Sequence, residues 1–182
     1  MAVLAGVATP LLFSSDGQVN AVVPYETTVN TTQQVILTRG SSTSVPQVLT
    51  IAAAAPGIFS KDSSGKGQGI IFGPSSNLAD SAHPVKTGDI VVIYCTGLGK
   101  VSPAVPTGSP APLLPLSNVI SQTTVNIGGI AVAPMFAGLT PSFVGLYQVN
   151  VGIPPGVTPG DQVPVFLTAA GQPSLPVTIA VR

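Results

Sequence analysis

The chain has very few charged side chains, and this shortage excludes several classes of partner. Only 7% of its 182 residues are Asp, Glu, Lys or Arg, and the formal net charge is zero, whereas ordinary soluble proteins carry about 25%. Nucleic acid and anionic lipid are both recognised by clusters of basic residues. No such cluster occurs here, so we predict that the chain does not bind nucleic acid. No apolar run reaches the roughly 18 residues that cross a bilayer, and we predict no membrane insertion.

Residues that carry catalysis or bind metals are equally scarce. His83 is the only histidine, and it lies in a polar segment, so we interpret it as an exposed loop residue and not as a general base. The aspartates at 62, 80, 89 and 161 do not have the spacing of a calcium loop. We therefore predict that the protein is not an enzyme, with no catalytic residue, no metal site and no cofactor.

A single cysteine excludes an intrachain disulfide. Cys95 lies in the apolar run Ile90–Gly97, with no His, Lys or Arg beside it to lower its pKa. We predict a buried, unreactive thiol. The N-terminus also lacks a basic segment followed by a hydrophobic stretch, so we expect a mature or truncated piece, or a Met1 that is not native.

What the chain does have is hydrophobic residues, glycine and proline. Hydrophobic residues make up 45%, and there are 20 glycines and 19 prolines. The hydrophobic residues form short runs rich in Val, Ile and Leu, bounded by Gly, Pro and Asp, which is typical of short strands joined by tight turns. No segment has the pattern of a long amphipathic helix. The sequence predicts an all-β fold.

The chain also contains an internal repeat. Residues 18–24, Gln-Val-Asn-Ala-Val-Val-Pro, recur 130 positions later as residues 148–154, Gln-Val-Asn-Val-Gly-Ile-Pro. The same offset aligns Leu37 with Leu167 and Ser44 with Ser174. Residues 10–13 also resemble residues 134–136. We interpret the repeat as a duplication.

The repeat suggests two related immunoglobulin-like β-sandwich modules, of which the N-terminal one is incomplete. Residues 1–57 form a partial module, a duplicate of 129–182, with about four strands, the first over 8–14; an immunoglobulin-like sandwich needs about seven. Residues 58–87 form a polar connector with one short strand, and residues 88–182 form the complete module. The proline-rich segment 102–115 is expected to run along a sheet edge.

Three segments carry a resemblance to a known family. They are Ala54–Phe59, Tyr94–Gly99 and Phe143–Val151, and together they resemble the signature of an uncharacterised C-terminal domain family of secreted bacterial proteins, frequent in Acidobacteria and first noted in Solibacter. The resemblance implies an extracellular or cell-surface immunoglobulin-like module at the end of a larger secreted protein. It implies no catalytic residue.

The missing strands of the first copy provide the main functional hypothesis, because open sheet edges pair readily with other strands. Three explanations remain open: a missing domain or packing within the same chain, a strand lent by a neighbouring subunit to give a filament, or docking of another protein or a glycan. We predict a non-enzymatic extracellular structural module that self-associates by strand pairing or donor-strand complementation into a filament or surface layer. The candidate assembly edge comprises Val3, Leu4, Leu11, Phe13, Val19 and Val23.

The competing prediction is a carbohydrate-binding or cell-surface-binding β-sandwich appended to a larger secreted protein. Such a domain needs exposed aromatic rings that line a groove. The chain has no tryptophan. Among the tyrosines we expect Tyr147 to lie in the core and Tyr25 to be exposed.

Overall fold

The computed structural model describes all 182 residues, and every regular element is a β-strand. All pairs of named strands are antiparallel, and they form several sheets. The predicted all-β fold is confirmed. No helix is present that has the length and apolar character of a membrane span.

Residues 1–53, called the N-terminal module here, form one sheet and one separate hairpin. The sheet has the order β2-β1-β5-β6, and β7 pairs with β5 on the side opposite β1, while β3 and β4 pair only with each other. The strands are β1 (Ala2–Leu4), β2 (Val7–Thr9), β3 (Leu11–Ser14), β4 (Val19–Ala21), β5 (Thr31–Arg39), β6 (Ser42–Thr43) and β7 (Gln47–Ile51).

Residues 54–182, the C-terminal module, form two larger sheets. One has the order β11-β12-β15-β16-β10-β8, with β9 also paired to β10; the other has the order β14-β13-β17-β18, with β19 also paired to β17. The strands are β8 (Gly57–Ile58), β9 (Ile71–Phe72), β10 (Ile90–Thr96), β11 (Val101–Ser102), β12 (Asn118–Val119), β13 (Thr123–Ile127), β14 (Ile130–Val132), β15 (Phe136–Leu139), β16 (Tyr147–Gly152), β17 (Gly160–Ala169), β18 (Gln172–Pro173) and β19 (Val177–Val181).

The hydrophobic core lies between these two sheets. One cluster of 27 buried residues includes alternate positions of β10 and β16 from the first sheet and of β13, β17 and β19 from the second. Alternation arises because successive side chains of a strand point to opposite faces of the sheet. Every member of the cluster belongs to the C-terminal module. This module is therefore a closed β-sandwich, and the N-terminal module lies outside its core.

The segment predicted as a polar connector, 58–87, is part of the C-terminal sandwich. Ile58, Ile71 and Val85 are buried in its core. The segment also runs along β19. The amide of Gly69 donates to the carbonyl of Thr178 (3.0 Å), and the amide of Val85 donates to the carbonyl of Ala180 (3.0 Å). The segment therefore does not stand apart as a connector. Its sequence did not indicate this because its apolar residues are few and their partners lie far along the chain.

The strand predicted over residues 8–14 is interrupted at Pro10. Residues before it form β2 in the main sheet, and residues after it form β3 in the hairpin. A proline nitrogen carries no hydrogen for a strand ladder. The chain uses this point to cross from one sheet to the other.

The two modules share a set of seven strands with the same pairing. Strands β1 to β7 of the N-terminal module correspond in order to β13 to β19 of the C-terminal module. Every strand pairing of the N-terminal module is repeated in the C-terminal module. The correspondence extends to side chains: the amide of Leu37 donates to Ser44 Oγ (3.0 Å), and the amide of Leu167 donates to Ser174 Oγ (3.0 Å). We call residues at matching register positions equivalent. No strand of the N-terminal module corresponds to β8 to β12.

Candidate assembly interface

Several hydrophobic residues that are buried in the C-terminal module have equivalents that are exposed in the N-terminal module. Leu167 is fully buried, whereas the equivalent Leu37 is 40% exposed. Ile153 is 2% exposed, whereas the equivalent Val23 is 51% exposed. The N-terminal module therefore has the residues of a sandwich core on a face that is covered only in part: Ala2, Leu4 and Ile51 are buried, whereas Leu37 and Val23 are exposed.

The difference in burial arises because β4 of the N-terminal hairpin has fewer neighbouring strands than its equivalent β16. In the C-terminal module, β16 lies between β15 and β10, and Val149 and Val151 of β16 are opposite Ile93 and Val91 of β10. The equivalent strand β4 pairs with β3 alone. One edge of β4 is consequently free, and an unpaired edge is a template for another strand.

The outer edge of β3 is free as well. Its equivalent, β15, pairs on that side with β12 through Asn118 and Gly138, and β3 has no such neighbour. Leu11, Leu12 and Phe13 of β3 are all exposed. The hairpin thus presents two open edges and an apolar surface.

A groove of about 290 Å³ lies between the hairpin, β7 and the C-terminal module. Its N-terminal wall includes Ala21, Val23 and Leu49. Its other wall includes Thr96, Gly97, Gly99, Lys100 and Tyr147. The residues equivalent to Ala21, Val23 and Leu49 are fully buried: Val151, Ile153 and Ile179. The groove therefore lies where the C-terminal module has packed core.

Polar contacts fix the hairpin end against the C-terminal module. The amide of Tyr25 donates to Thr107 Oγ1 (2.9 Å), and the hydroxyl of Thr107 donates to Glu26 Oε2 (2.7 Å). The second bond holds the pKa of the Glu26 carboxyl below its ordinary value. The hydroxyl of Tyr147 donates to the carbonyl of Gly99. The same hydroxyl lies 3.4 Å from the hydroxyl of Tyr25. These contacts set the width of the groove.

The two tyrosines do not form an exposed aromatic platform. Tyr147 is buried, as predicted, and burial raises the pKa of its hydroxyl. Tyr25 is half-buried against the C-terminal core, so the prediction that it is exposed was wrong. The position of Tyr25 is set by Thr107 and Tyr147, and both of these residues are far from it in the sequence.

The structure separates the six candidate edge residues into two groups. Val3 and Leu4 belong to β1, which pairs with β2 on one side and β5 on the other, and Leu4 is buried. These two residues are therefore not at an edge, because a strand with neighbours on both sides has no free ladder. The remaining candidates lie in the hairpin or directly after it: Leu11, Phe13, Val19 and Val23.

Titratable residues do not gather into a second site. No three His, Cys, Asp or Glu side chains lie close enough together to hold a metal ion. His83 is an exposed loop residue, as predicted, and its Nδ1 lies 3.3 Å from Asp80 Oδ1. No serine is among its hydrogen-bond partners, so no nucleophile is paired with this imidazole.

Cys95 gives a direct test of how tightly the sandwich is closed. The side chain is fully buried in β10, and burial raises the pKa of its thiol. Because the thiolate is the reactive form, we expect Ellman's reagent to modify the native protein at least about 100-fold more slowly than the protein in urea. Similar rates in both states would show that the C-terminal module opens readily.

Comparison of the chain with family models, curated proteins and solved structures gives no match at any of the three levels.

Proposed function

We propose that this chain is a non-enzymatic, immunoglobulin-like structural module that assembles with further copies of itself by β-strand pairing at its N-terminal module. The observation that carries the proposal is the contrast between β4 and β16: equivalent strands, one of which has a free edge and exposed inner side chains. An incoming strand would pair with the free ladder and cover Val23 and Leu37. Both changes remove unpaired backbone groups and apolar surface from the open edge.

Two free edges on one hairpin allow assembly to continue beyond a pair. A copy bound at β4 leaves the outer edge of β3 available for another copy. Contacts that do not close on themselves produce an open series of subunits. The expected product is a filament or surface layer in which the hairpins form the shared sheet and the C-terminal sandwiches project from it.

We place this assembly outside the cell or at its surface. Two features of the sequence support that location. The resemblance of three segments to a domain family of secreted bacterial proteins is one of them. The low charge is the other, since 7% charged residues give little colloidal repulsion, which suits a protein that is held in an assembly.

The carbohydrate-binding alternative has less support from the geometry. A sugar-stacking site needs aromatic rings that are open to solvent. The aromatic rings in the groove are Tyr25 and Tyr147, and both are partly or fully packed. The exposed rings of Phe13, Phe59 and Phe143 lie outside the groove lining. The apolar groove therefore fits a polypeptide strand better than a sugar.

Charges placed on the open face of β4 should prevent association. We expect the parent chain to show a mass that rises with concentration in size-exclusion chromatography with light scattering, and filaments in negative stain. The double variant Val19→Lys/Ala21→Lys should weaken association at least about 10-fold, because lysines on this face oppose burial by a second strand.

A matched control carries the same two added charges on the C-terminal module. Ala131 of β14 and Gln172 of β18 are both exposed, so Ala131→Lys/Gln172→Lys should associate like the parent chain. Equal weakening by both double variants would assign the effect to net charge and contradict the proposed edge. A parent chain that remains monomeric at all concentrations would overturn self-association itself.

A further inference from the structure

We propose that the strand that completes β4 is β4 of a second copy, paired antiparallel about a two-fold axis that passes beside Asn20. This inference rests on the self-association proposed above and specifies its contact and register. In the C-terminal module, β10 occupies the place that this strand would take beside β4.

β10 defines what a partner of β4 must provide. In the pair of β10 with β16, Val91 is opposite Val151, Ile93 is opposite Val149, and Cys95 is opposite Tyr147. All six side chains are buried in the core. The positions equivalent to 151, 149 and 147 in the N-terminal module are Ala21, Val19 and Gly17. A partner of β4 therefore needs three apolar residues at alternate positions, running antiparallel.

The segment Gly17–Val23 meets this requirement when it pairs with itself. With Asn20 opposite Asn20 of the second copy, Ala21 is opposite Val19, Val19 is opposite Ala21, and Gly17 is opposite Val23. The inner face of the new pair is then apolar at every position. The segment has no charged residue, so two copies can approach without repulsion.

Neighbouring registers are less suitable. A shift by one residue places Asn20 opposite Ala21 and brings polar side chains to the inner face. A shift by two toward the C-terminus requires pairing at Pro24, which has no amide hydrogen, and at Tyr25, whose amide is already bonded to Thr107 of its own chain. A shift by two in the other direction places Asp16 opposite Val22. The register centred on Asn20 avoids all three conflicts.

The second copy also has room for its side chains. Gln18, Asn20 and Ala21 are exposed along the open edge of β4. Ala21, Val23 and Leu49 line the adjoining groove, which offers apolar surface to the incoming valines. The contact is the same on both copies, so taken alone it closes a dimer. Growth into a filament then uses the outer edge of β3.

Disulfide trapping tests the register. In an antiparallel pair, residues directly opposite have Cα atoms about 4.5 to 5.5 Å apart, within the range that a disulfide spans. Asn20→Cys should therefore give a covalent dimer under mild oxidation. Val22→Cys alone should not, because the two copies of residue 22 would be four positions apart, or about 13 Å. An equimolar mixture of Gln18→Cys and Val22→Cys should give the mixed dimer.

The outcomes distinguish a wrong register from a failure of self-association. The parent chain, whose one thiol is buried, is the control for oxidation and should stay uncrosslinked. Chains that associate in light scattering but form no Asn20→Cys dimer would overturn the β4 pairing and assign the edge to a different strand, while self-association would stand. A Val22→Cys dimer that forms as fast as the Asn20→Cys dimer would also overturn the register. Chains that stay monomeric would overturn both proposals.

Discussion

Truncation of Leu167 to alanine should lower the free energy of unfolding by about 3 kcal/mol, whereas the same truncation of Leu37 should lower it by less than about 1 kcal/mol. Leu167 is fully buried between the two sheets of the C-terminal module, and its removal leaves a cavity. Leu37 holds the equivalent place in β5, but its side chain is 40% exposed, so much of its apolar surface already contacts water. Urea unfolding followed by circular dichroism at low protein concentration measures both values.

The two variants serve as each other's control. Both remove a leucine from equivalent positions of β5 and β17, and in both strands the leucine amide donates to a serine hydroxyl. Assembly provides a second comparison. If an incoming strand covers Leu37, the cost of Leu37→Ala should increase at concentrations where the parent chain associates. Similar large losses for both variants in the monomer would show that the N-terminal module is already closed, and the basis of the assembly proposal would be removed.

The short apolar runs predicted the all-β fold correctly, but they could not predict which strands are covered. The patterns around Leu37 and Leu167 are almost the same, and both indicate an inner face. Burial depends on a second sheet, which the C-terminal module builds around β10. The sequence signal for the open face was therefore the asymmetry between the two halves of the repeat: β10 accompanies the second half, and residues 1–53 contain no counterpart to it.

Other parts of the fold depend on partners that are distant in sequence. Val3 and Leu4 lie in a three-residue strand, and only its pairing with β5 decides that it is central. Residues 58–87 contain only one short apolar run, and their buried residues are held by pairing with β10 and β19. Tyr25 was misjudged for the same reason, since Thr107 and Tyr147 come from the other module.

Two segments of the chain meet at the junction between the modules. The segment 94–99 and the segment 54–59 lie against each other where the modules join: the amide of Ala55 donates to the carbonyl of Gly97 (2.8 Å), and β8 pairs with the end of β10. Both Gly97 and Gly99 have positive φ angles and lie against the backbone of residues 53–55. The two glycines therefore allow the connector to pass close to β10.

Gly97→Ala should destabilise the C-terminal module by at least about 3 kcal/mol. The residue has a φ of +76°, and an added Cβ would lie 2.0 Å from the carbonyl oxygen of Ala55. That oxygen belongs to backbone and cannot rotate away as a side chain would. The substitution must therefore move the connector or break the pairing of β8 with β10. Thermal unfolding monitored by circular dichroism, together with the reactivity of Cys95, measures the effect.

Gly129→Ala separates the backbone term from the steric one. Gly129 also has a positive φ, +89°, but an added Cβ would meet nothing within 4 Å, so only the left-handed conformation is penalised, by about 1 kcal/mol. If Gly97→Ala costs no more than Gly129→Ala, the connector is free to move away from β10 at little cost. The groove would then have no fixed width, because its C-terminal wall is built on residues 96–100. A substantially larger loss for Gly97→Ala would mean that the connector is held tightly against β10, which fixes the C-terminal wall of the groove.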